Sequence, residues 1–201
     1  MKPILFNTEM VRAILEGRKT VTRRVVKTRF RQGEMGWQII TEKHSGKYVR
    51  IEYLDEWEDE TRYMIDPFRP GDIMYVRETW ARSMAGTYLY KATDTPIILD
   101  RWRPSIHMPK EAARLFLRVT DVRVERLQDI TEDGARSEGC YHGPLLDGCD
   151  DFIVPALYSF QSVWDSTVKK TDRDTYGWKA NPWVWVIEFE RCEKPEEERY
   201  K

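Results

Sequence analysis

No stretch of the 201-residue chain strings together enough apolar residues to span a bilayer, and the opening "MKPILFNTEM" lacks the apolar run of a secretory leader. Cysteine is scarce. Cys140, Cys149 and Cys192 are odd in number, which argues against a disulfide framework and makes a reduced, cytoplasmic setting with no membrane partner the expectation. Neither a Gly-rich phosphate loop nor a dinucleotide-binding fingerprint is present, and no serine sits in a nucleophile-elbow pattern. Those absences exclude a nucleotide-driven motor, a dehydrogenase and a serine hydrolase of the usual kinds, and no cofactor is implied. There is also no internal repeat, no Gly/Ser linker and no mid-chain shift in composition, so a single domain is expected from residue 1 to about 192, followed by a charged tail, 193–201.

What the chain does contain suits a packed globule: 41% hydrophobic residues, eight of them Trp, and a length that can bury roughly 70% of the unfolded surface. A net charge of −1 argues against indiscriminate coating of nucleic acid. The charge is unevenly spread, however. Arg18, Lys19, Arg23, Arg24, Lys27, Arg29 and Arg31 follow one another with no acid between them, while acids gather in "IEYLDEWEDE" and in the tail. A cationic run of this kind is either a solvated face or a holder of phosphate.

Met10, Val11, Ile14 and Leu15 recur at helical spacing behind Asn7 or Thr8 as cap, and Gly17 sits where a left-handed residue ends a helix. "VTRRVV" then reads as a strand, which places Lys19 and Thr20 on the connection. "GWQIITEKHSGKYVRIEY" predicts a hairpin around "HSGK" with His44 in its turn, and "FRPGDIMYVRETW" predicts a turn followed by a strand from Ile73 to about Glu78. A short helix is expected after Pro109, and a long strand through Val119, Val122 and Val124 with a break near Asp121. Thr131 caps a short helix that ends before Gly139, with Glu138 in its last turn. Leu157, Phe160 and Trp164 mark a further helix, and "PWVWVIEFER" a final core strand.

Four pieces, "GRKTVTRR", "PGDIMYVRETW", "RVERLQDITEDGARSEG" and "NPWVWVIEFE", resemble in that order the ASCH domain, and the pattern is most similar to its longer bacterial and prophage members. The resemblance implies an α+β, PUA-like fold: a small, curved, mixed β-barrel with short helices at its rim and a cleft between them. It also implies a link to RNA, and some small members of the family are N4-acetylcytidine amidohydrolases while others are described as ribonucleases. Carried over residue by residue, the amidohydrolase lysine is Lys19, the threonine Thr22, the arginine Arg24 and the glutamate Glu138. The chain departs from those enzymes in being roughly twice as long, with inserted hairpins near 30–66 and 82–110.

The candidate catalytic residues are therefore Lys19, Thr22 and Glu138. Amide hydrolysis needs a nucleophile and a base, and Thr22 can attack, or position water, if a neutral Lys19 accepts the proton and Glu138 orients it. That requires the lysine pKa to fall from about 10.4, which burial and a cation such as Arg24 promote. The alternative is that Lys19 and Arg24 bind a phosphate or carboxylate without catalysis and Thr22 is a strand hydroxyl. Arg23, Arg24, Glu78, Trp80 and His107 are the candidate ligand-binding residues, Trp80 stacking a base and Glu78 accepting from an exocyclic amine; a core indole and a surface acid are the competing readings. Cys140, His142 and Cys149 form an incomplete zinc spacing with no fourth ligand, so no metal is expected. The reading is an RNA- or nucleoside-binding domain, with hydrolysis of a modified nucleoside or of RNA as the alternative.

Overall fold

The computed structural model describes residues 1–26, 37–40, 49–54, 59–64, 67–95, 101–140, 142–144 and 153–196. In chain order the elements are β1 (Lys2–Leu5), α1 (Thr8–Leu15), β2 (Val21–Val25), β3 (Trp37–Ile40), β4 (Val49–Leu54), β5 (Asp59–Met64), β6 (Ile73–Arg77), β7 (Trp80–Arg82) and β8 (Tyr88–Tyr90). They continue with β9 (Phe116–Arg126), α2 (Glu132–Ser137), β10 (Gly143–Pro144), β11 (Ile153–Val154), α3 (Ala156–Thr167), α4 (Arg173–Tyr176) and β12 (Trp183–Cys192). The fold is α+β. No helix among the described residues is long and apolar enough to cross a membrane.

A five-stranded mixed sheet, ordered β1-β6-β9-β12-β2, organises the molecule. β1 runs parallel to β6 and the other neighbours are antiparallel, so the N- and C-terminal strands share one sheet. Its centre is the long β9–β12 ladder, where the register shifts between Glu188 and Phe189: Glu188 faces Asp121 but Phe189 faces Val119. This bulge is the physical form of the break expected near Asp121. It moves the apolar alternation by one residue, so that Leu117, Val119 and Val122 all point into one core although their spacing changes from two to three.

β12 is buried on both faces. Trp185, Ile187 and Phe189 join β6, β9 and α1 in one core, while Val184 and Val186 join Val21, Leu127, Ala135, Phe160 and Trp164 in a second core under α2 and α3. The sequence pattern identified only the first of these faces. A strand covered on both sides loses its alternation, which is why "VWVI" reads as a continuous apolar run.

The sheet is not closed into the expected barrel. β1 and β2 are its two edges, and no backbone ladder joins them. At one end Arg24 crosses the gap instead: its Nη2 donates to the Leu5 carbonyl at 2.8 Å, and its guanidinium lies 5.4 Å from the centre of the Phe6 ring. A bulky side-chain layer of Phe6 and Arg24 holds the edges apart where a barrel would require strand pairing at about 4.8 Å.

The predicted hairpin near "HSGK" is the antiparallel β3–β4 pair, extended by β5 into a three-stranded meander; His44 and the turn lie outside the described residues. β7 and β8 form a second hairpin, packed through Trp80 and Tyr88 on Met108 and Ala112. The turn after Pro109 is a single 3-10 turn, Lys110–Ala112.

α1 and α2 are held by the caps that the sequence shows. Asn7 accepts from Met10 N, Thr131 accepts from Gly134 N, and Gly17 and Gly139 both adopt positive φ. α3 has no side-chain cap of its own. Glu132 of α2 supplies one, accepting from Ala156 N at 2.7 Å and from Leu157 N at 3.1 Å, and those backbone bonds hold its carboxyl below the usual range. Gly139 packs where α1, α2 and the turn before β2 converge: with φ +82°, a Cβ there would stand 2.7 Å from that of Ala13 and 3.0 Å from that of Lys19. Gly139→Ala is therefore expected to destabilise the protein by about 2–4 kcal/mol, strain and overpacking combined, read as a lowered urea midpoint at unchanged slope.

Candidate functional site

The turn between α1 and β2 is built on the last carbonyls of the helix. Arg18 N and Lys19 N both donate to Ala13 O, and Thr20 N donates to Ser137 O of α2 at 2.8 Å. Lys19 is thereby drawn against Glu138 in an isolated antiparallel bridge. The Lys19 side chain is wholly buried, and its Nζ donates to Glu138 Oε2 at 2.6 Å, to Glu138 O at 2.9 Å and to Val21 O at 2.8 Å. Three acceptors satisfy the three donors of an ammonium, and the Phe6 ring closes another side at 5.5 Å from Nζ.

Glu138 is shared. Its Oε1 accepts from Arg23 Nη1 at 3.2 Å, while Arg23 Nη2 reaches Glu125 at 3.4 Å. Arg23 Nε is buried with no partner among the described residues, a state that costs about 1–3 kcal/mol for such a donor. β2 alternates around this centre. Arg23 lies opposite Val186, toward α2 and α3; Thr22 and Arg24 lie opposite Ile187 and Trp185, toward α1. Thr22 is buried, and its hydroxyl has no partner among the described residues.

Burial pushes the Lys19 pKa below its ordinary 10.5; Glu138 opposes this, and Arg24 adds to it. Burial likewise lowers that of Arg24, against the attraction of Glu138.

Because β2 is an edge strand, its outer side is open, and a cleft of about 1080 Å³ runs along it between the start of α1 and the α2–α3 pair. Thr22, Arg23, Arg24 and Glu138 line it, with Lys19 buried immediately beneath. The cleft brings together the candidate catalytic set and both arginines. It does not include the other three candidates. Glu78 is buried, with both carboxylate oxygens held by Arg114 at 2.9 and 3.0 Å. Trp80 is a core indole beside Tyr88, and His107 is exposed on a separate surface cavity with Arg101, Trp102 and Arg103.

Other cleft residues escaped the sequence reading. Arg18 donates to Gly139 O at 3.0 Å, Arg136 and His142 stand within 3.2 Å of each other, and Phe160 carries the Arg23 guanidinium 6.0 Å from its ring centre. Arg18 belonged to the cationic run, but nothing in the spacing of α3 distinguishes its cleft face. Cys140 also lines the cleft, and burial pushes its thiol up to about 11, so it is neither a ready nucleophile nor a ready metal ligand. Cys149 and the cations Lys27, Arg29 and Arg31 lie outside the described residues. No group of three His, Cys, Asp or Glu side chains that would suit a metal occurs among the described residues.

No protein-family model, curated protein or solved structure matches the chain.

The ion pair has a measurable signature. Lys19→Met leaves a buried carboxylate short of one cation and is expected to cost about 3–5 kcal/mol, whereas Lys19→Met combined with Glu138→Gln costs less than the two single changes added. Since folding lowers the Lys19 pKa, the unfolded chain holds the extra proton between the folded value and 10.5. The Lys19 contribution therefore makes stability rise with pH through that window, and Lys19→Met removes the rise, as urea titrations at a series of alkaline pH values would show.

Proposed function

We propose that the chain is an ASCH-type domain with a PUA-like lineage whose cleft binds a nucleotide-like ligand, an RNA or a nucleoside. The observation that carries this reading is the charge and chemistry of the cleft. Four guanidinium groups, from Arg18, Arg23, Arg24 and Arg136, face it against the carboxylates of Glu9 and Glu138, and its volume suits a nucleoside. Arg24 has no carboxylate partner among the described residues and is the natural holder of a phosphate, while the Thr22 hydroxyl supplies hydrogen bonding, and Met10 and Val163 on the cleft wall apolar contact, for a base.

A second reading, hydrolysis of an acylated cytidine, is favoured by the 2.6 Å contact between Lys19 and Glu138, with Thr22, whose hydroxyl has no partner among the described residues, on the wall of the same cleft as Glu138. As an ammonium, Lys19 offers no lone pair. It becomes a base only by passing one proton to Glu138 Oε2, which the lowered lysine pKa eases. Neutral Lys19 would then take the Thr22 proton as the hydroxyl adds to the acyl carbon, and Glu138 would return its proton to the departing amine. Water cleaves the acyl-threonine, so that one amide and one water give one carboxylic acid and one amine, with Thr22 restored. Ribonuclease activity has no feature of the cleft that favours it over these two.

Calorimetry with cytidine monophosphate, and product analysis with N4-acetylcytidine, test both readings. Binding alone predicts affinity that falls with salt and with Arg24→Ala, and no turnover. Hydrolysis predicts turnover lowered by about 10²-fold or more in Lys19→Ala, Thr22→Ala and Glu138→Ala variants that remain folded, and a pH optimum that moves upward in Arg24→Ala as Lys19 loses a neighbouring cation. Absence of both binding and turnover rejects the proposal.

A further inference from the structure

His107, singled out in the sequence and absent from the cleft, sits in a surface cavity of about 440 Å³ formed with Arg101, Trp102, Arg103 and Pro104. This cavity is built on a rigid support. Arg103 and Trp80 exchange backbone hydrogen bonds, Trp80 N to Arg103 O at 3.1 Å and Arg103 N to Trp80 O at 2.7 Å. The Arg103 guanidinium then lies 5.2 Å from the buried Trp80 ring. A guanidinium laid on an aromatic face keeps its charge and its edge donors directed outward. Arg101 and Arg103 are both exposed, and neither has a carboxylate partner among the described residues. Ile106, at 59% exposure, adds an uncovered apolar side chain beside His107.

A short covalent and hydrogen-bonded path ties this cavity to the cleft. Arg24, on the cleft wall, donates to Leu5 O. Leu5 is in register with Arg77 across the parallel β1–β6 pair, and Phe6 N donates to Arg77 O at 3.1 Å. Arg77 in turn donates through Nε to Met108 O at 2.8 Å and through Nη2 to Ile106 O, bracketing His107. Both cationic sites are therefore connected through the ends of β1 and β6.

We propose that the ligand of the cleft is a single-stranded RNA, and that its flanking nucleotides cross the ends of β1 and β6 to this second cavity, Arg101 and Arg103 holding phosphates and Trp102 or His107 meeting a base. The inference rests on the nucleotide-binding reading of the cleft. Cations with no carboxylate partner among the described residues, set beside aromatic rings in both cavities, are the arrangement that follows an extended backbone; a free nucleoside would use only the first of them. Among the described residues, the exposed Arg101 and Arg103 serve no ion pair that would account for them otherwise.

The test compares cytidine monophosphate with a fluorescein-labelled oligocytidylate octamer on wild type, Arg101→Gln and Arg101→Gln/Arg103→Gln, with thermal melts to confirm folding. Wild type is expected to bind the octamer at least tenfold more tightly than the monophosphate. The double change should remove most of that advantage and lower the slope of log affinity against log salt by about 1.4, two phosphate contacts at about 0.7 each, while monophosphate binding stays unchanged. Arg101→Gln, which touches no packed ring among the described residues, should lower the slope by about 0.7 and guards against a folding defect at Arg103. An octamer bound no better than the monophosphate, or one indifferent to both changes, overturns the second site while leaving the cleft reading intact. Failure of wild type to bind either probe sinks the cleft reading and this extension with it.

Discussion

The contact between Lys19 Nζ and Glu138 Oε2 is the interaction on which the rest of the site depends. An ammonium and a carboxylate removed from water lose several kcal/mol of hydration each, and their attraction alone often fails to offset that cost. Here the loss is met by spreading the charges. Lys19 adds two carbonyl acceptors, and Glu138 adds Arg23. The pair links the turn between α1 and β2 to the end of α2, elements more than one hundred residues apart in sequence, and it does so at a point where Gly139 leaves no space for a different packing. A buried pair of this kind contributes little net stability, whereas removing one partner alone is costly.

The open sheet follows from the same region. Were β1 and β2 to pair, the outer edge of β2 would be consumed and Thr22 and Arg24 would be enclosed. Phe6 and the Arg24 guanidinium occupy that gap instead, and the edge strand becomes the floor of a cleft. Edge strands ordinarily need protection from pairing with other chains, and the row of arginines along β2 and its preceding turn provides a charge barrier.

Much of this was legible in the sequence, for local reasons. Asn7, Gly17, Thr131 and Gly139 announce the ends of α1 and α2 because caps and left-handed residues act on nearest neighbours. Lys19 and Glu138 were joined only through a resemblance to a family; no spacing rule connects two residues so distant in the chain. What periodicity could not show is just as local in origin. The bulge beside Asp121 shifts the alternation of β9, and burial of both faces hides that of β12, so the second core under α2 and α3 went unread. Glu78 and Trp80 looked like cleft residues because their chemical types suit a base, but Arg114 and the Met108 cluster claim them. Partners distant along the chain, such as Glu132 capping α3, leave no pattern in sequence at all.

If the buried lysine organises the site, its own protonation should report it. Lysine-selective NMR of the ammonium nitrogen would follow Lys19 through an alkaline titration, with the signal assigned by its absence in a Lys19→Arg variant. The expected resonance is protected from solvent exchange and titrates below 10.5, the direction set by burial and by Arg24. A Lys19 signal that exchanges freely and titrates with the surface lysines would contradict it.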